Sequence, residues 1–250
     1  MAYFTVEVKC AISGAATGQH AAFTAGDLLF DWQGFEIPRG GAKLVGVTAL
    51  VRPKGDADPT PNNFGFDLIF GKVGTTLGSA NAVAFVGTPT NDIIGSVNIA
   101  QSNFIGPNSA VATSCISVAS VSDLSVNISP DDTALNTGTN VGYDKFYVAG
   151  VANGDIDFRT IVRLHDGSGN MDVSVAGTTI ATDGTGMDIR EHFIVGDELI
   201  AHDDAVIGTV ASLTDATDLE LTSNFGAGTL ADDDYVYAKH PITLKLHFEK

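Results

Sequence analysis

Apolar side chains recur at every second residue along this chain, and convincing 3.6-residue helical periodicity is hard to find anywhere in it. The opening segment, Tyr3 to Lys9, sets Phe4, Val6 and Val8 on one face. Lys43 to Arg52 places Val45, Val47, Ala49 and Val51 on one side and Leu44, Gly46, Thr48 and Leu50 on the other. Both sides are apolar or small, which predicts a strand covered on two faces. Phe64 to Lys72 aligns Phe66, Leu68 and Phe70, and Lys145 to Ala149 alternates around Phe146 and Val148. Near the end, Ile242, Leu244, Leu246 and Phe248 oppose Thr243, Lys245, His247 and Glu249, the cleanest half-buried strand of all.

Turn clusters separate these runs. Pro38-Arg39-Gly40-Gly41, Pro53-Lys54-Gly55-Asp56 and Asp58-Pro59-Thr60-Pro61-Asn62-Asn63 combine fixed φ with tolerance of positive φ, so strands end there. Short strands divided in this way predict an all-β protein whose main domain is a jelly-roll-like β-sandwich. After residue 165 the character changes. His165 to Asn170 reads as a loop, and a meander follows: Glu198 to Ala201, Val206 to Val210, Asp218 to Thr222, then Tyr235 to Tyr237. Two strand-like pieces, Thr160–Leu164 and Ile242–Leu246, bracket that meander. The economical arrangement makes them neighbours in the main sheet, with a small β-barrel unit, residues 166–238, inserted into a sandwich of residues 1–165 completed by 239–250.

Charge then changes the picture. Between residues 73 and 122 the only charged side chain is Asp92, whereas surface β structure normally carries more. Phe85, Ile93, Ile94, Val97, Phe104 and Ile105 recur within that stretch. They are either core residues of ordinary strands or a surface depleted of charge because it packs on another subunit. Tyr235 and Tyr237, two apart on one strand, are candidates for an exposed contact on the inserted unit. Trp32, the sole tryptophan, follows Leu28-Leu29-Phe30-Asp31 and reads as packed rather than as an exposed sugar platform.

Over all 250 residues, 30 acidic against 13 basic groups give a net charge of −17. That balance excludes a large nucleic-acid surface, which needs clustered Lys and Arg, and disfavours anionic lipid. Only Cys10 and Cys115 are present, so no disulfide framework supports the fold, and both read as reduced thiols in or near a core. The first residues pattern as a strand rather than as a secretory leader, and no run approaches a membrane helix.

Candidate chemistry is sparse. Asp166, Ser168, Asn170 and Asp172 are spaced like the first ligands of a calcium loop. Met171 stands where such a loop needs glycine, and Gly177 where it needs the distal acid, so a solvated turn is the better description. Asp203-Asp204 and Asp232-Asp233-Asp234 read as solubilising turns. Histidines at 20, 165, 192, 202, 240 and 247 show no metal-ligand spacing, and His165 beside Asp166 is poorly placed to act as a general base. Nucleophile elbows, phosphate loops and dinucleotide fingerprints are absent from the sequence. The expectation is a non-enzymatic protein without metal or cofactor.

One segment is familiar. Val195-Gly196-Asp197-Glu198-Leu199-Ile200-Ala201, continuing through Ile207-Gly208-Thr209-Val210 to Asp218-Leu219-Glu220-Leu221-Thr222, resembles a small β module of virion and tail proteins of tailed bacteriophages, marine ones in particular. Secreted bacterial adhesins use similar β repeats. The remainder is similar only in general character to phage capsid cement, decoration or head-spike proteins: acidic, rich in Gly, Ala and Thr, poor in cysteine. The resemblance implies a virion structural protein, commonly a homotrimer, whose partner is the major capsid protein; it transfers no individual site residues. A host-recognition module (a head spike, fibre or tail protein binding a cell-surface glycan or protein) and a glycan-acting domain are the alternatives.

Overall fold

The computed structural model describes residues 2–12, 22–38, 42–52, 64–80, 91–105, 115–126, 143–156, 177–181, 188–201, 205–225 and 236–250. Their strands form three antiparallel sheets. One joins β1 (Tyr3–Cys10), β14 (Ile242–Glu249), β3 (Ala42–Val51), β7 (Cys115–Val126) and the short β6 (Phe104–Ile105), in that order. A second joins β2 (Leu28–Pro38), β8 (Tyr143–Ala152), β4 (Phe66–Gly71) and β5 (Ile93–Ile99). The third draws its strands from residues 177–238, in the order β13 (Val236–Ala238), β10 (Glu198–Ala201), β11 (Val206–Leu213), β12 (Asp218–Phe225) and β9 (Gly177–Ala181).

With β6 and the third sheet set aside, eight strands remain. Counted along the chain they lie in the orders first-eighth-third-sixth and second-seventh-fourth-fifth. That is the two-sheet, double Greek-key arrangement of a jelly roll. The two sheets close on a core of aromatic rings. Phe35 on β2 stacks on Phe248 of β14 with centroids 6.1 Å apart, and meets Phe70 and Phe146 at 6.2 and 6.0 Å. At the other end Phe64, Phe66 and Phe104 pack with centroid separations of 5.6 to 6.4 Å. Offset and edge contacts of this kind add about 0.5–1.5 kcal/mol per pair to the burial of the rings themselves.

Periodicity translates directly into burial on most of these strands. Phe66, Leu68 and Phe70 are fully buried, as are Ile242, Leu244, Leu246 and Phe248, while Thr243, Lys245, His247 and Glu249 are only partly buried. On β1, Val8 and Cys10 enter the core, and Phe4 and Val6 pack against its edge. β3 departs from strict alternation. Its pairing with both neighbours shifts at Val45, so Leu44 joins Val47, Ala49 and Val51 on the core side and Val45 does not. A bulge of this kind inserts one residue and resets which face the strand presents.

Cys10 is buried, and burial raises its thiol pKa well above the ordinary value. Cys115 lies on β7, with β14 and β3 between it and β1. That is a separation of ~14 Å at ordinary strand spacing, beyond the reach of a disulfide. Trp32 is half-buried; its indole N–H donates to the Thr75 carbonyl at 2.9 Å.

The inserted sheet is open rather than a closed barrel among the described residues, since β13 and β9 end it and do not pair with each other. Its apolar face is filled instead by Ile189 of the four-residue helix α1 (Ile189–His192) and by Phe193. These pack on Ile180, Leu199, Ile207, Val210 and Leu219. Register shifts at Leu199/Ile200 and Val210/Ser212 bend the strands over that plug. The segment 160–164, expected to neighbour β14, lies outside the described residues. Its expected place is held by β1 and β3, which flank β14 on both sides.

Candidate functional site

Where the inserted sheet meets the sandwich, one turn is tied to the end of β3 by side-chain bonds. Phe193 is buried; Ile194-Val195-Gly196-Asp197 then reverses the chain into β10. Gly196 holds φ +92°, and the Asp197 amide donates to the Ile194 carbonyl at 3.1 Å, the arrangement of a type II turn with glycine third. Asp197 Oδ2 accepts the Ile194 amide at 2.9 Å, while Oδ1 accepts the guanidinium of Arg52, at the end of β3. The Arg52 Nη1 also donates to the His192 carbonyl at 3.5 Å. Arg52 therefore ties the sandwich to the inserted sheet through one carboxylate and one backbone carbonyl. Beside it, Lys239 Nζ pairs with Glu198 Oε1 at 2.5 Å.

This joint closes one end of a cleft of about 480 Å³. Its floor is the outer face of the first sheet. Glu7 and Lys9 of β1 stand opposite Lys245 and Thr243 of β14, and Thr243 in turn opposite Leu50 of β3. These positions alternate with core-facing Val8, Leu244, Ala49 and Val51, so the core's own periodicity places them outward. The far wall is Ile194, Asp197, Glu198 and Thr209, with His240 at the edge. Among the described residues neither Lys9 nor Lys245 has an ion-pair partner. Burial lowers the pKa of His240; Lys239 and Lys9 push the same way, against Glu198 and Asp197. The imidazole is thus held toward its neutral form, able to donate one hydrogen bond and accept another.

Other acidic groups serve local structure. Asp188 caps α1, accepting the Arg190 amide at 3.0 Å and its guanidinium at 2.6 and 2.8 Å; that side-chain bond lowers its pKa. Asp215 accepts the amides of Thr217 and Asp218 at 2.8 and 2.9 Å in the turn between β11 and β12, which lowers its pKa likewise. Among the described residues there is no group of three His, Cys, Asp or Glu side chains that could hold a metal ion. No helix among them is long and apolar enough to cross a membrane. The calcium-like spacing at 166–172 and the acidic turns at 203–204 and 232–234 lie outside the described residues.

The residues singled out as contacts divide. Val97 and Phe104 are core residues of the sandwich, 6% and 8% exposed, because both fall on inward-facing strand positions. Tyr237 is only 1% exposed and packs with Ile200, its partner on β10, so it presents no outward surface. Ile94 is partly buried against the core, and Ile93 is 45% exposed at the start of β5. Ile105 belongs to β6 and pairs with Ile116 of β7. Phe85 and Tyr235 lie outside the described residues.

Comparison with family models, with curated proteins and with solved structures finds no match. The joint between sheet and sandwich was missed in the sequence because Arg52 and Asp197 are 145 positions apart. One signal was available. Phe193-Ile194-Val195-Gly196-Asp197 repeats the pattern of Phe23-Thr24-Ala25-Gly26-Asp27, and both precede strands.

Proposed function

We propose that this chain is a non-enzymatic virion structural protein, bound to the outside of a phage capsid as cement or decoration. In this reading it forms a symmetric trimer seated on the major capsid protein, needs no cofactor, and resides in the virion. The observation that carries it is β5. This strand ends the second sheet, pairs only with β4 among the described residues, and contains no charged side chain from Ile93 to Ile99. Edge strands of monomers are normally guarded by charge, proline or a covering element, since bare edges recruit other chains. The single acid just before it, Asp92, is paired with Lys72 at 3.1 Å. A rigid sandwich with one uncharged edge suits attachment to a repeating lattice, where many modest contacts add up through avidity. The chain's acidity suits the solvent side of a particle better than the packaged DNA side.

The test uses capsids that lack the protein. The purified chain should sediment as a trimer and bind them, and its presence should raise the temperature at which heads release DNA. Ile93→Lys with Ser96→Lys, both at exposed positions of β5, should abolish assembly and binding while leaving the unfolding temperature unchanged. A chain that stays monomeric and never co-sediments with capsids removes the proposal. The cleft favours a host-recognition module as the second reading.

A further inference from the structure

The geometry points to the cleft between the outer face of the β1-β14-β3 sheet and the Ile194–Glu198 turn as a binding site for a carboxylate-bearing saccharide. This goes beyond capsid attachment and does not depend on it. The cleft's volume, about 480 Å³, falls within the roughly 300–1,000 Å³ usual for small-molecule sites. Its walls are fixed before any ligand arrives, because Arg52 clamps the turn to the sandwich. Preorganisation of this kind lowers the entropic cost of binding.

The chemistry of the lining selects the ligand class. The chain carries 13 basic residues against 30 acidic ones, yet Lys9 and Lys245 both stand in this cleft without an ion-pair partner among the described residues. They are diagonal neighbours across the β1 and β14 pair, so both bring positive charge for a carboxylate to the same floor. Around them are groups matched to sugar hydroxyls rather than to more charge. Thr209 and Thr243 offer hydroxyls, and His240 offers a ring nitrogen of each kind. Glu7 and Glu198 accept from ring hydroxyls, which inorganic phosphate does not have. Leu50 and the 57% exposed Ile194 give an apolar ledge for the C–H face of a sugar ring. A charged carboxylate beside neutral hydroxyls and one apolar face is the profile of a uronic or sialic acid unit.

Titration of the full chain with tetragalacturonate, followed by NMR, tests this directly, with neutral maltotetraose and inorganic phosphate as comparison ligands. Tetragalacturonate should shift cleft resonances saturably, and the neutral sugar and phosphate should bind more weakly. Lys9→Gln and Lys245→Gln should each weaken binding by about tenfold, the usual effect of removing one charged hydrogen-bond donor. Both are outward-facing, and far-UV circular dichroism checks that the fold persists. Lys145→Gln, on the opposite sheet, is the charge-matched control and should leave affinity unchanged. Absence of saturable binding overturns the proposal. So does equal binding of maltotetraose, tighter binding of phosphate, or equal loss in the control. Lysine variants that lose saccharide binding should still bind capsids if that separate proposal holds, so failure of one is distinguishable from failure of the other.

Discussion

The turns that begin at Phe23 and Phe193 share one construction and differ in where their aspartate is satisfied. Gly26 and Gly196 hold φ +93° and +92°. Asp27 and Asp197 each close the turn with an amide-to-carbonyl bond of 3.1 Å, to Thr24 and Ile194. Gly26 donates to the carbonyl of Ala152, whose amide donates back to Asp27; Gly196 and Asp197 exchange the same pair of bonds with Val210. In both, Oδ2 accepts the amide of the residue three before it, at 2.7 and 2.9 Å. The divergence lies in that residue. Thr24 adds its hydroxyl to Asp27 at 2.9 Å, and the carboxylate is buried inside the sandwich, 5% exposed. Ile194 has no hydroxyl, and Asp197 directs its other oxygen to Arg52. One turn is closed on itself; the other has become a connector between two sheets. The lesson is that a single side chain decides whether a local motif stabilises its own unit or joins it to another.

Removing the carboxylates should separate the two turns most strongly. Asp27→Ala removes the buried carboxylate that accepts both the amide and the hydroxyl of Thr24 and should cost about 2 kcal/mol of global stability in urea titration. A loss of only a few tenths would show that the turn is held by its backbone bonds alone. For Asp197 the expected signature is coupling rather than size. A double-mutant cycle of Asp197→Ala and Arg52→Ala should give an interaction energy of about 1 kcal/mol, modest because both groups are partly solvated. Either single variant should also increase proteolytic cleavage between the sandwich and the inserted sheet. Strict additivity would remove Arg52 from its role as clamp.

Alanine at the two glycines tests whether the turns are alike where they look alike. A Cβ at Gly26 or Gly196 meets nothing within 4 Å, so only the positive φ resists it. Gly26→Ala and Gly196→Ala should each cost about 1 kcal/mol, equal to within a few tenths. Exchanging the residue that differs sharpens the comparison further. Thr24→Val should cost about 1 kcal/mol, and Ile194→Thr should recover a few tenths by giving Asp197 the missing hydroxyl.

The smallest effect belongs to pH. The pKa of His240 is lowered in the folded state from its ordinary 6.5, so the unfolded chain binds the proton more readily. Its contribution is fully present above the unfolded pKa and is lost as pH falls below about 6.5. The charged groups that act on it are Glu198, Lys239, Lys9 and Asp197. His240→Gln should therefore flatten the fall in unfolding temperature as pH drops below about 6.5. An unchanged slope would place the titrating group elsewhere.

Sequence alone determined the strands, because burial in a sandwich repeats every two residues and each residue's face follows from its neighbours. β4, β8 and β14 present the expected core residues for this reason. It determined the all-β class as well. Tertiary structure decided everything that depends on pairing across long separations. The bulge at Val45, which exchanges Val45 for Leu44 in the core, exists only relative to β7 and β14. Val97, Phe104 and Tyr237 look the same in sequence whether they face a partner or a core; the sandwich core buries the first two, and Tyr237 packs with Ile200. Among the described residues the inserted unit is an open sheet whose apolar face is filled by Ile189 and Phe193. No single segment of the sequence shows the cleft. Its lysines come from β1 and β14, its clamp from the end of β3 and its far wall from the inserted sheet, elements that only the folded chain brings within a side chain's length of one another.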